Sequence, residues 1–145
     1  MRRLAAVAAV AAVAAVACVA APSGGASGSG IAFLRTPTGN IMCGLTWGTG
    51  PAQLRCDILS GLRPMPPRPA SCEFDWGAGY RLNRTGRARV SCVSDSVASR
   101  SARVLRYGTT WRRLGFACTS KRTGLTCMNR SKHGFVLSRR HSFRF

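Results

Sequence analysis

The sequence predicts an all-β domain, a small disulfide-stapled fold of antiparallel hairpins. Three observations carry that expectation. Short runs of β-type residues recur, divided by Gly, Pro or Asn; six cysteines lie in or beside those runs; and after residue 30 only Ser94 to Arg103, "SDSVASRSAR", has the pattern of a helical turn.

The runs are seldom longer than seven residues. In order they are "IAFLRT", "NIMCGLTW", "QLRCDI", "RARVSCV", "GFACT", "GLTCM" and "HGFVLS". Gly48, Gly50 and Pro51 mark a turn between the second and third, and "TSKRTGLT" holds a polar turn with Gly124. Within "CEFDWGAGYRLNRTGRARVSC" the turn signals are Gly77-Ala78-Gly79 and Arg84-Thr85-Gly86. The proline group from Arg63 to Cys72 reads as a stiff, polyproline-like surface connection that cannot join a central strand.

Cys43, Cys56, Cys72, Cys92, Cys118 and Cys127 are an even set in a small chain, which reads as three disulfides formed in an oxidising compartment. Zinc sites place two cysteines two to four residues apart. No two of these six are that close, so neither a metal centre nor a thioredoxin-like redox pair is expected. Six cysteines permit fifteen pairings. Facing residues of antiparallel strands bring their Cβ atoms within disulfide reach, so the hairpin pattern favours consecutive pairs: Cys43 with Cys56, Cys72 with Cys92, Cys118 with Cys127.

The first residues carry a different message. Met1-Arg2-Arg3 precedes an apolar stretch, Leu4 to Ala21, that has the form of a secretory signal, so residues 1–21 are expected to direct export. An uncleaved membrane anchor is the lesser reading, because alanine contributes little to bilayer insertion. "AVAC", ending at Cys18, resembles a bacterial lipoprotein box; on that reading the signal is residues 1–17 and Cys18 is lipidated. Residues 22–30 form a flexible Gly/Ser spacer and residues 31–145 a single domain.

Charge is the other strong feature. Twenty-two Lys and Arg face four acids, Asp57, Glu73, Asp75 and Asp95, for a net charge of +18. Such a surface draws polyanions. Basic residues cluster at Arg84, Arg87 and Arg89 around one hairpin turn, at Lys121 and Arg122 in the last cysteine hairpin, and at Arg139 and Arg140 near the end. These are the candidate anion-binding residues. Export argues against DNA or RNA and favours an acidic envelope polymer or an anionic lipid surface. The competing reading is that solvated arginines only keep the domain soluble.

Chemistry is harder to find. Glu73 and Asp75 alternate with Cys72, Phe74 and Trp76, so in a strand the acids share a solvent face, where salt bridging is expected. Asp95 in "SDS" reads as a turn or cap. His133 and His141 have serines nearby, but no Gly-x-Ser-x-Gly elbow occurs, and both read as turn or strand-edge histidines. No catalytic residue, cofactor or metal is assigned.

The segments "FLRTPTGNIMCGL", "LRCDI", "PPRPASCEFDWGAGYRL", "GRARVSCVSDSV", "VLRYGTTWRRLGFACTSKRTGLTCMN" and "HGFVLSRR" together resemble a family of small secreted bacterial proteins, common in high-GC Gram-positive bacteria and known only as a domain of unknown function. The resemblance spans nearly all of Phe33 to Phe145 and implies an exported six-cysteine domain; it supplies no activity. Arg106 stands where that family's "LPYG" turn has proline. The expected role is a non-catalytic binding module of the envelope or extracellular space, and the alternative is a secreted hydrolase or toxin-like effector.

Overall fold

Eleven strands lie within residues 28–145, the part of the chain described by the computed structural model. The expected signal, Cys18 and most of the spacer lie outside the described residues. The strands are β1 (Gly30–Arg35), β2 (Ile41–Trp47), β3 (Gln53–Ile58), β4 (Asp75–Asn83), β5 (Arg89–Val93), β6 (Arg103–Val104), β7 (Thr110–Arg113), β8 (Phe116–Lys121), β9 (Gly124–Met128), β10 (Gly134–Leu137) and β11 (Phe143–Arg144). The described residues are all-β, as the sequence predicts.

Two sheets divide them. One has the order β5-β4-β3-β2-β1-β6 and the other β11-β10-β9-β8-β7. Every neighbouring pair is antiparallel except β1 and β6, so antiparallel neighbours in sequence build almost all of both sheets.

Period-two patterning explains why the sheets pack face to face. Along β8, Phe116, Cys118 and Ser120 are buried and Ala117 and Thr119 are partly open; along β9 and β10, Leu125, Cys127, Phe135 and Leu137 are buried. The first sheet answers with Leu45, Leu54, Cys56, Tyr80 and Leu82. These side chains form one cluster, in which Tyr80 and Phe135 meet across the sheets at 5.4 Å between ring centres. Burying a phenylalanine such as Phe116 or Phe135 contributes about 1.5–3 kcal/mol.

Three disulfides hold the hairpins: Cys43–Cys56 joins β2 to β3, Cys118–Cys127 joins β8 to β9, and Cys72–Cys92 ties the approach to β4 onto β5. Cys43–Cys56 and Cys118–Cys127 link directly opposed residues, with Cα atoms 4.0 and 4.1 Å apart, the close approach of non-hydrogen-bonded pairs.

Four local expectations are corrected. Gly77-Ala78-Gly79 is not a turn; it lies inside β4, the longest strand, at an irregularity in the pairing with β5 between Trp76 and Tyr80. Gly77 has φ +86°, and a Cβ at Gly79 would strike the carbonyl oxygen of Cys56 on β3. The glycines therefore permit a bulge and a close strand approach, which in sequence look the same as a turn.

Secondly, Ser94 to Arg103 contains no helical turn. Its serines satisfy the backbone locally instead: Ala98 N donates to Ser96 Oγ at 3.1 Å and Ser101 N to Ser99 Oγ at 3.2 Å, while Val97 N donates to Asp57 Oδ2 at 3.3 Å. Such bonds compete directly with helix formation.

Thirdly, Phe74 is exposed, because the strand begins only at Asp75 and the expected alternation from Cys72 does not apply. Finally, Glu73 and Asp75 form no ion pair; both ion pairs among the described residues belong to Arg55, with Asp57 and Asp95. Asp95, expected as a turn cap, is thus a partner of β3.

Two further ties fasten connections to the sheets. Asn129, buried after β9, donates from Nδ2 to Asn83 O at 2.9 Å and Gly86 O at 2.8 Å, fastening the β4–β5 turn to the β9–β10 turn. Trp76 Nε1 donates to Pro66 O at 2.8 Å and holds the proline segment against β4.

Candidate functional site

The β8–β9 hairpin closes in two residues, since Lys121 pairs with Gly124 and leaves Arg122 and Thr123 at the tip. Gly124 decides where that tip goes. With φ +148°, it sits so close to β10 that a Cβ would strike Leu137 O and lie 2.9 Å from Ser138 Cβ. Only glycine allows this approach, which sets Lys121 and Arg122 beside the turn that follows β10.

That second turn is held by its serines. Ser138 Oγ donates to His141 O at 2.6 Å and accepts from His141 N at 2.9 Å; Ser138 N donates to Ser142 Oγ at 3.3 Å. Ser142, itself buried, donates its N–H to Arg63 O at 2.6 Å. Arg139 and Arg140 project from a fixed loop.

The β1–β2 connection supplies a third wall. Thr36 Oγ1 accepts from Ile41 N at 3.2 Å, Gly39 N donates to Thr36 O at 2.9 Å, and Asn40 Nδ2 donates to Ser60 Oγ at 3.3 Å. Together the three walls enclose a cleft of about 400 Å³.

Four cations meet there: Lys121, Arg122, Arg139 and Arg140. None has an ion-pair or hydrogen-bond partner for its charged group among the described residues, and no acid lines the cleft. Arg122 lies over the ring of Tyr107, 5.3 Å from guanidinium carbon to ring centre. Such stacking orders a guanidinium without neutralising it. Tyr107 is positioned by the next residue, where Gly108 N donates to Ser120 O at 2.8 Å on β8.

The contrast is Arg55. It donates from Nε and Nη2 to the two carboxylate oxygens of Asp57 at 2.9 and 2.8 Å, and from Nη1 to Asp95 Oδ1 at 2.6 Å. Burial pulls the Arg55 pKa down, but the hydrogen bonds to Asp57 and Asp95 outweigh it and leave the guanidinium more basic than usual. Asp95 is held below its ordinary value, first by the hydrogen bond from Arg55 and then by its charge. Two of the four acids are therefore occupied away from the cleft.

The other candidate residues are elsewhere. Arg87, just before β5, borders a groove with Tyr80, Arg144 and Phe145. Arg89 pairs across the ladder with Arg81 and opens on a groove walled by Trp76 and Phe74. Arg84, half-buried in the β4–β5 turn, lines neither groove; its carbonyl accepts from Arg130 N at 3.3 Å. The seven candidates thus separate into one convergent set of four and three on the β4–β5 side. Sequence reasoning missed Tyr107 and the Thr36–Asn40 wall, for which the Tyr107-Gly108 turn was the only signal.

Two other arrangements lie outside the cleft. The sulfurs of Cys43, Cys56 and Cys127 lie within 4.8 Å of one another, but they belong to disulfides and offer no thiolate to a metal. His133 and His141 are held by backbone bonds to Asn129 and Ser138, and neither ring has a hydrogen-bond partner among the described residues.

Comparison with known proteins gives a family. No curated protein and no solved structure matches the chain. A family model does match, over residues 9–145: the chain belongs to a family of unknown function, DUF6636.

Proposed function

We propose that the protein is a non-catalytic binding module of the cell envelope or extracellular space, and that it holds acidic partners in the cleft of Lys121, Arg122, Arg139 and Arg140. The carrying observation is that these four cations converge from two turns without a single acidic neighbour, whereas Arg55 on β3 is fully paired. Uncompensated like charges in one cleft raise the local concentration of anions. The three disulfides are consistent with an extracellular setting. An acidic polymer fits better than a flat lipid surface, because the charges line a concavity.

The test compares two triple-or-greater variants in binding to immobilised polyanions at low and high salt. Replacing Lys121, Arg122, Arg139 and Arg140 with Ala is expected to abolish binding, while replacing Arg84, Arg87 and Arg89 leaves most of it. Wild-type binding falls steeply with added salt. Equal losses from both variants would mean that charge acts diffusely and that the cleft has no special role.

A further inference from the structure

We infer that the cleft takes the phosphate ester of a polyol or sugar, an inference that rests on the acidic-partner reading and narrows it. Geometry separates phosphate from carboxylate. A carboxylate presents two coplanar oxygens, which one guanidinium fork satisfies. A phosphoryl group presents oxygens on a tetrahedron and needs donors from several directions. Here Arg122 and Lys121 approach from the β8–β9 turn, and Arg139 and Arg140 from the Ser138–Ser142 turn.

Size and wall chemistry describe the rest of the ligand. The cleft of about 400 Å³ has the volume of a small-metabolite site, and an inorganic phosphate would fill little of it. The rest of its lining includes Thr38, Asn40, Thr123 and Ser138, side chains that exchange hydrogen bonds with hydroxyl groups, together with the apolar Ile41 and the ring of Tyr107. That is a surface for a hydroxylated, uncharged body attached to an anion. Ordering also favours specific binding. Arg122 is stacked on Tyr107 and the Arg139–Arg140 loop is locked by Ser138 and Ser142, so less side-chain freedom is lost on binding.

The chemistry is shared by a free ester and by a repeating phosphodiester chain, and calorimetric titration distinguishes them. The probes are glycerol phosphate, an oligomer of poly(glycerol phosphate), polygalacturonate as a carboxylate polymer of similar charge, and phosphatidylglycerol vesicles. The phosphate probes are expected to bind at least tenfold more tightly, per charge, than polygalacturonate. Equal affinity per phosphate for monomer and oligomer assigns a free ester; a tighter oligomer assigns the polymer. Arg122→Lys keeps the charge and removes the fork and most of the stacking, and is expected to lose about tenfold for phosphate with an unchanged melting temperature. Polygalacturonate binding as well as the phosphate probes overturns the phosphate assignment and leaves the acidic-partner reading standing. Vesicle binding without soluble-ester binding also overturns it. Binding of none of the four overturns both.

Discussion

Cys56 Sγ lies 3.9 Å from Cys127 Sγ, so the disulfides of the two sheets touch in the middle of the core. Both residues are completely buried, and they stand on the central strands β3 and β9 of their respective sheets. The contact makes each staple part of the packing that the other depends on.

Removing either disulfide as a paired Cys→Ala change is expected to cost about 3 kcal/mol, since the closed loops are short. The two losses will not add. Side chains in contact couple by about 0.5–3 kcal/mol, so the variant lacking Cys43–Cys56 and Cys118–Cys127 should depart from the sum by that amount. Removal of Cys72–Cys92, whose Cys72 lies outside the core cluster, should add to either within about 0.5 kcal/mol. Urea unfolding of the three single and three double removals measures all of this.

Acid sensitivity follows from Asp95. Its folded pKa is depressed by Arg55, so it contributes stability that is complete above its ordinary value of 3.8 and is lost as pH falls further, through the folded value. Asp95→Asn should lower the melting temperature at neutral pH and leave little difference from the wild type well below pH 3.8. A difference that persists unchanged at the acid end would show that the carboxylate charge is not what Arg55 uses.

Asn129 offers a third test. Its amide donates to two carbonyls of the β4–β5 turn, and its oxygen accepts from Ser131 N and His133 N, both at 3.1 Å. Asn129→Ala leaves these groups without their partner and should cost about 2 kcal/mol or more. Asn129→Asp keeps the accepting oxygen but faces two carbonyls with a carboxylate, and should be at least as damaging. Thermal unfolding of both variants is the measurement; a neutral Asp substitution would mean that the donated bonds contribute nothing.

Legibility in the sequence tracked amphipathic contrast. The runs that became β1, β2, β3, β5, β8, β9 and β10 each set apolar residues or a cysteine against polar neighbours, and burial alone separates their faces. β6, β7 and β11 were missed. Their sequences, "RV", "TWRR" and "FR", expose nearly every side chain, and they are strands only because a neighbouring backbone pairs with them. β4 was broken in two by its glycines, whose reason is the approach of β3 and not a reversal of the chain.

The candidate site divides in the same way. Residue types and net charge pointed to anion binding, and Lys121, Arg122, Arg139 and Arg140 could be named from clustering along the chain. Their convergence could not, because it depends on Gly124 docking against Leu137 and Ser138 from another strand. Arg84, Arg87 and Arg89 looked equally suitable, yet they lie along the β4–β5 side.

By itself, then, the sequence determined the class of fold: period-two patterning, turn residues and cysteine spacing are local properties, and local sterics and burial suffice to turn them into disulfide-stapled hairpins. Only the tertiary structure decided which hairpins face each other and which of the many cations share a cleft. Those are long-range relations, set by close backbone approaches and by contacts such as Cys56 with Cys127, between residues that no local pattern connects.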